Sequence, residues 1–107
     1  MKLGVFSVQS LAIGLLVSAF AFPAQAAGDK IAGKKKALQC QTCHGMDGLS
    51  KLPEAPNLAG QVDIYLIKAM GDYKSGARQN DMMSVVAPNL SDQDIADLAA
   101  YFASLGQ

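Results

Sequence analysis

The five residues Cys40-Gln41-Thr42-Cys43-His44 are the segment of this chain most suited to chemistry. In a C-x-x-C-H segment the two thiols can add across the two vinyl groups of haem as thioethers, and the adjacent imidazole can bind the haem iron from one side. The distance between the vinyl groups sets the spacing of the cysteines. The segment therefore predicts one covalently attached haem c, with Cys40 and Cys43 as attachment points and His44 as an iron ligand.

Three other uses of this segment each need something that the chain lacks. A structural zinc site commonly takes four Cys or His ligands, but the chain has one histidine and two cysteines. A thioredoxin-like pair needs a βαβ setting, and no strand-like alternation of four or more residues is present. A plain disulfide would close a very short loop and stabilise little. Covalent haem is therefore the favoured interpretation.

The second axial position on the iron decides between a carrier and a catalyst. No second histidine exists, and a methionine opposite the histidine raises the reduction potential, as is typical of electron-transfer haem proteins. Met46 is too close to His44 to reach the opposite face easily, and Met70 falls on an apolar helix stripe that favours a core role. Met82 and Met83 lie in a loop about 40 residues downstream, which is long enough to wrap around the ring.

The N-terminus has the pattern of a secretory signal. Lys2 provides a positive start, an apolar run extends from Leu11 to Phe22, and Ala24-Gln25-Ala26 has the small-x-small form of a cleavage site. We therefore expect residues 1–26 to be cleaved after export to the periplasm. The alternative is an uncleaved membrane anchor, because a span that begins at Leu3 could reach the ~20 residues that a membrane helix needs.

Cleavage would leave residues 27–107 as a single domain. This domain has 81 residues and a formal net charge of −1, because Lys2 leaves and all nine acidic side chains stay. A nucleic-acid binder is disfavoured, because it needs a basic face. Three of the four phenylalanines also leave with the signal. A domain of this size has only marginal stability unless a disulfide, a metal or a similar group adds to its core. We expect the haem to supply the missing apolar mass.

Three helical stretches are predicted, so the chain is classed as all-α. They run from about Asp29 to Gln39, from about Val62 to Lys74, and from a Ser91 cap to Leu105. Ser91 and Asp94 form a variant of the capping box. The apolar or stem-burying positions at helical spacing are Ile31, Lys34, Lys35 and Leu38 in the first helix; Val62, Tyr65, Leu66, Ala69, Met70 and Tyr73 in the second; and Ile95, Leu98, Ala99, Phe102 and Leu105 in the third.

An ordered set of short motifs runs through residues 28–107. It comprises Gly33, Cys40-x-x-Cys43-His44-Gly45, Asp47-Gly48, Pro56-Asn57-Leu58-Ala59-Gly60-Gln61, Tyr65-Leu66, Tyr73-Lys74-x-Gly76-x-Arg78, Met83, and Leu90-Ser91-x-x-Asp94-Ile95 leading to Leu98-Ala99-Ala100-Tyr101-Phe102. With this set the chain resembles the class I cytochromes c, most closely the short bacterial cytochrome c553 type and a single-haem half of cytochrome c4. The resemblance implies the small class I cytochrome c fold, with three main helices wrapped around one covalently attached haem.

The resemblance also implies roles for particular residues. Met83 stands where the family has its second iron ligand, seven residues before Leu90, and Met82 is the alternative. Pro56 stands where the family's backbone carbonyl accepts the proton on Nδ1 of His44. Gly33 stands where the first and last helices of the family cross.

Weaker expectations concern the polar residues around the haem. Arg78 is the best candidate to hydrogen-bond a haem propionate, because buried propionates need donors. Gln61 is a weaker candidate, and Tyr65 and Tyr73 are interpreted as core residues. The run Lys34-Lys35-Lys36 is interpreted as a solvated helix face, with a role in docking as the alternative.

The resulting hypothesis is a periplasmic, single-haem electron carrier and not an enzyme. Its partners would be other redox proteins, such as an oxidase, reductase or dehydrogenase, with no small-molecule substrate and no nucleic acid; the membrane is a partner only if the signal is uncleaved. A dedicated cytochrome subunit of a dehydrogenase is one alternative. A gas-binding haem sensor is another, and it would need an open or easily displaced second axial position.

Overall fold

The computed structural model describes residues 1–5, 7, 9–21 and 27–106. Its helices are α1 (Lys30–Lys36), α2 (Gln41–His44), α3 (Asp63–Ser75), α4 (Met83–Val86) and α5 (Asp92–Ala103), with 3-10 turns at Ala37–Gln39 and Ala87–Asn89. The described ranges contain no strand, which confirms the all-α prediction. The cleavage pattern Ala24-Gln25-Ala26 and Phe22, the end of the apolar run, lie outside the described residues. None of the described helices is both long and apolar enough to cross a membrane.

Asp29 caps the start of helix α1, because its carboxylate accepts hydrogen bonds from the backbone N–H groups of Ile31 (2.7 Å) and Ala32 (3.2 Å). The helix then crosses α5 at very close range. A Cβ atom added at Gly33 would lie 2.0 Å from the backbone oxygen of Asp97 and 2.8 Å from Cβ of Tyr101. The predicted crossing at Gly33 is therefore present, and it requires a residue without a side chain.

The predicted apolar face of α1 is wrong. Ile31 is 68% exposed and Leu38 is 58% exposed, whereas Gly33 is buried and Ala37 is fully buried. Because the two helix backbones approach so closely, only the smallest residues fit between them, and the larger apolar residues are left on the outer side of the helix. Helical spacing predicted the helix, but the crossing distance decides which side of it is buried.

Helix α3 follows its prediction within one residue at each end, and it ends at Gly76 in the left-handed conformation (φ 84°). Leu66 is its buried contact with the core. The predicted stripe is only partly buried, since Val62, the residue before the helix, is 65% exposed. Tyr65 is 50% exposed, so its assignment to the core is wrong, and Tyr73 is partly buried.

Helix α5 is the centre of the core. Its N-terminus has the predicted capping box: Ser91 Oγ accepts from the backbone N–H of Asp94 (3.0 Å), and the Asp94 carboxylate accepts from the backbone N–H of Ser91 (2.9 Å). The Tyr101 hydroxyl donates to the backbone oxygen of Met46 (2.6 Å), which ties α5 to the segment after α2. The buried residues of the main cluster are Ala37, Leu66, Leu90, Ile95, Leu98, Ala99, Tyr101 and Phe102.

A buried carboxylate fastens α1 to α5. Asp97 is only 3% exposed, and it accepts hydrogen bonds from the Asp29 backbone N–H (2.8 Å), Lys36 Nζ (2.6 Å) and Gln93 Nε2 (2.8 Å). Lys36 Nζ also lies 2.7 Å from the Asp94 carboxylate. Lys36 therefore does not belong to a solvated lysine face, which corrects that part of the sequence interpretation.

Candidate cofactor site

A cleft of about 980 Å³ lies beside the core. This volume is at the upper end of the range typical of sites for small molecules and cofactors. Its walls come from α2, the segment around residues 52–58, α3, α4 and the inner side of α5. The lining residues with groups suited to holding a cofactor include Cys40, Cys43, His44, Pro56, Met83 and Arg78.

The two thiols and the imidazole reach this cleft together because they lie on one helical turn. Cys40 is the N-cap of α2, and Cys43 and His44 end it, so the three residues are at the i, i+3, i+4 spacing that shares one helix face. Gly45 ends the helix with φ 75°, and a Cβ atom there would lie 2.5 Å from the backbone oxygen of Leu49. The sharp turn requires glycine, and it leaves His44 at the edge of the cleft.

The imidazole of His44 is buried and oriented. His44 as a whole is 8% exposed, and its Nδ1 lies 2.9 Å from the backbone oxygen of Pro56. A carbonyl only accepts hydrogen bonds, so Nδ1 carries the proton and Nε2 has the free lone pair. Among the described residues, every fully buried side-chain nitrogen or oxygen has a hydrogen-bond partner. Nε2 of His44 has no such partner, so it is not fully buried and is open to the cleft that His44 lines. A histidine that binds a metal through Nε2 needs this arrangement, in which its other ring nitrogen donates to a carbonyl.

The environment of the Cys40 thiol disfavours a thiolate. Cys40 and Cys43 are free and partly buried. Burial, and secondly the charge of Cys43, raise the pKa of Cys40 to about 11. Reactive redox cysteines and metal-binding thiols have a lowered pKa instead. The Cys40 environment is therefore unlike that of a redox dithiol and fits a sulfur that ends as a thioether.

Three of the four methionines after residue 26 line the cleft, namely Met70, Met82 and Met83. Met46 and Met70 are both packed against the core cluster. Met82 is 64% exposed, whereas Met83 is partly buried as the first residue of α4. The structure thus brings Met83 and His44 to one cleft and turns most of Met82 towards solvent.

Asn80 is a contributor that the sequence interpretation missed. Its Oδ1 accepts from the backbone N–H groups of Met82 and Met83, both at 3.0 Å, and its backbone N–H donates to Ser84 Oγ (3.0 Å). These bonds cap α4 inside a segment that the sequence suggested was a loop. The residue type of Asn80 could have indicated this helix, because asparagine is a preferred residue just before a helix.

Arg78 lies at the cleft with two tyrosines. Its guanidinium carbon is 4.8 Å from the ring centre of Tyr73, a cation–π distance. The neighbouring Tyr65 side chain is the main cause of a raised Arg78 pKa. All three residues and Gln61 line the cleft. Arg78 is itself exposed, and its contact with Tyr73 places the guanidinium beside the cleft.

Comparison with known proteins gives one consistent picture. The family model described as Cytochrome c matches residues 25–106. The chain is 56% identical over 81 residues to cytochrome c4 of Pseudomonas aeruginosa, covering 76% of this chain and 40% of that protein. It is 44% identical over 81 residues to cytochrome c-554(548) of Halomonas halodenitrificans, covering 73% of this chain and 98% of that protein.

The fold has a counterpart among solved structures. The crystal structure of reduced recombinant cytochrome c4 from Pseudomonas stutzeri matches with a TM-score of 0.70 and 43% identity, covering 75% of this chain and 47% of that one. The chain thus spans 40% of the Pseudomonas aeruginosa cytochrome c4 and 43% of the Azotobacter vinelandii cytochrome c4, and 98% of the shorter c-554(548) protein.

Proposed function

The chain belongs to the cytochrome c family and has covalently attached haem c as its cofactor, and we propose on this basis that it is a periplasmic one-electron carrier with a single His/Met-ligated haem. Cys40 and Cys43 would hold the haem as thioethers, and His44 and Met83 would be its two iron ligands. When bound, the haem supplies one-electron redox chemistry at its iron.

The observation that carries this proposal is the set of side chains that line one cleft. The cleft is lined by both thiols, by an imidazole whose free nitrogen is Nε2, and by two partly buried thioethers, that of Met83 and that of Met70, which also packs against the core cluster. The Pro56 carbonyl keeps the proton on Nδ1 and fixes the plane of the ring, which makes His44 a better donor. The Asn80 cap holds the start of α4, so Met83 is placed by a helix rather than by a free loop.

Two protein ligands would leave no open position on the iron. A carrier benefits from this, because its ligands stay in place in both oxidation states. A haem enzyme or a gas sensor needs an open or easily displaced position, so the pair His44 and Met83 favours a carrier without a small-molecule substrate.

Arg78 is proposed as a hydrogen-bond donor to a haem propionate. The contact with Tyr73 already places its guanidinium at the cleft. Little side-chain freedom would be lost on pairing, and charge-assisted hydrogen bonds of this type are the strong ones.

The location and the partners of the protein follow from the proposal that it is an electron carrier. We propose that residues 1–26 are a cleaved export signal and that residues 27–107 are the working domain. Redox proteins would meet the rim of the cleft near Cys40 and Cys43 through a small, transient interface. Stable co-purification with a catalytic chain would instead identify a dedicated subunit of a dehydrogenase.

The test compares two neighbouring methionines in the holoprotein. Met83→Ala should remove the far-red sulfur-to-iron absorption band, lower the reduction potential and let carbon monoxide bind the ferrous iron. Met82→Ala, the matched control, should leave all three nearly unchanged, because its side chain is mostly in solvent. Loss of the band in Met82→Ala alone would move the ligand by one residue. Retention of the band in both variants would refute the proposed ligand set.

A further inference from the structure

The end of α2 is bonded at two points to the loop between α2 and α3, residues 45–62. The backbone oxygen of Cys43 accepts from the backbone N–H of Lys51 (2.9 Å). The His44 imidazole donates from Nδ1 to the backbone oxygen of Pro56 (2.9 Å). These contacts belong to the two residues that end α2, so the orientation of the imidazole depends on how the loop holds its two contact points.

Asn57 closes these contacts into a ring of hydrogen bonds. Its Oδ1 accepts from the backbone N–H of Ser50 at 2.7 Å, and Ser50 and Asn57 directly adjoin the two loop residues that contact α2. The ring thus joins three pairs of consecutive residues, namely Cys43-His44, Ser50-Lys51 and Pro56-Asn57. Within this ring only the imidazole and Asn57 take part through side chains, so a substitution at Asn57 opens the ring and leaves the ligand in place.

Asn57 is linked to the Pro56 carbonyl through a single peptide unit. The carbonyl of Pro56 and the N–H of Asn57 lie in one rigid plane, so a shift of Asn57 turns the carbonyl. In the described part of the chain the backbone N–H of Asn57 makes no hydrogen bond, and the next backbone link is that from Leu58 N–H to the Gly48 oxygen (2.8 Å). The bond from Ser50 to the Asn57 side chain is therefore the anchor nearest to the carbonyl on this side.

We propose that Asn57 is a positioning residue for His44. It acts through the Pro56 carbonyl, which keeps the proton on Nδ1 and fixes the ring plane. A firm hydrogen bond at Nδ1 makes a metal-binding imidazole more basic, and a more basic ligand favours ferric over ferrous iron, so Asn57 lowers the reduction potential. This inference rests on the proposed function, in which His44 binds the haem iron.

The test follows the exchange of the His44 Nδ1 proton with solvent, measured by NMR in the ferrous holoprotein. Asn57→Ala removes the acceptor for the Ser50 N–H and leaves no gap in the core, because Asn57 is exposed. We expect the Nδ1 proton to exchange about fivefold faster, since one hydrogen bond shifts a local equilibrium by roughly that factor. The reduction potential of this variant should rise.

Two further variants separate positioning from a general loss of stability. Asn57→Asp keeps the acceptor oxygen and loses the amide N–H groups, so it should retain slow exchange because the bond to Ser50 persists. It adds a negative charge and is therefore compared by exchange alone. Asn89→Ala is the matched control, because Asn89 is also exposed and also bonds one backbone group, the Val85 oxygen (3.0 Å). Asn89 does not line the cleft, so this variant should leave the exchange rate unchanged.

Three results would overturn the proposal: an unprotected Nδ1 proton in the parent, the parent's rate in Asn57→Ala, or an acceleration in Asn57→Asp or Asn89→Ala as large as that in Asn57→Ala. All of these variants keep both proposed iron ligands and should keep the far-red absorption band. That band alone tests Met83, so failure of the ligand set and failure of the Asn57 inference are visible separately.

Discussion

Replacing Gly33 by alanine tests the geometry of the α1–α5 crossing. Helix propensity alone predicts that Gly33→Ala is stabilising by ~1 kcal/mol, because Gly33 lies inside α1. The structure predicts the opposite sign. The new Cβ atom would lie 2.0 Å from the backbone oxygen of Asp97, and the neighbour is backbone, which cannot rotate away as a side chain can.

The size of the effect follows from the separation that α1 must make. Carbon and oxygen atoms rest at about 3.3 Å, so the helices must part by roughly 1.3 Å. Overpacking of this kind costs up to ~3 kcal/mol. Moving α1 also weakens the 2.8 Å bond between the Asp29 N–H and the Asp97 carboxylate, and bonds to charged groups are worth about 1.5–3 kcal/mol. After the propensity gain, we expect a net loss of ~3 kcal/mol.

Thermal unfolding of the ferric holoprotein measures this loss. For a domain of this size ~1 kcal/mol corresponds to about 4–8 °C, so the midpoint of Gly33→Ala should fall by roughly 15 °C. Gly71→Ala is the matched control. Gly71 also lies inside a helix, α3, but a Cβ atom there meets nothing within 4 Å, so this variant should melt about 5 °C higher than the parent. A Gly33→Ala protein as stable as the parent would refute the close crossing.

Three further predictions concern attachment, the apo-chain and acid stability. Haem should stay on the polypeptide in acid-acetone extraction, and Cys40→Ser or Cys43→Ser should sharply reduce the holoprotein; haem that washes out of the unmodified protein would contradict covalent attachment. The apo-chain of residues 27–107 should be unfolded or molten by circular dichroism, because so small a core cannot close around the empty cleft; a native-like cooperative melt would contradict this. Hydrogen bonds from Lys36 and then Ser91 lower the pKa of Asp94 to about 2. Because the folded pKa lies below the ordinary value of 3.8, Asp94 contributes stability above that value, and this contribution is lost as the pH falls from 3.8 to about 2. Urea titrations over that range should show a shallower loss for Asp94→Asn, and an unchanged acid slope would show that Asp94 is not the group involved.

Features that depend on neighbours in sequence could be predicted from the sequence. The capping box of Ser91 and Asp94 and the stop at Gly76 both appear where their residue types placed them. The C-x-x-C-H segment predicted one face with two sulfurs and an imidazole, and α2 has that face. Each of these features is decided within about one helical turn, where bond geometry allows few alternatives.

The sequence alone could not show which side of a helix is buried, or which charges are paired. Ile31 and Leu38 have the spacing of a buried stripe, yet the close crossing at Gly33 leaves them outside. Lys36 looks like its neighbours Lys34 and Lys35, but only Lys36 reaches Asp97, which lies 61 residues away in the chain.

The cleft shows the same contrast between what the sequence predicts and what the tertiary structure decides. Sequence could name Met82 and Met83 as candidates, and the family resemblance favoured Met83, but adjacent residues in a supposed loop have no defined direction. The Asn80 cap and the short helix α4 give them one, with Met83 partly buried at the cleft and Met82 mostly in solvent. A pattern along the chain determines which residues can do the chemistry. Contacts between distant segments decide which of them face each other, because burial depends on what packs against a residue and not on the residue alone.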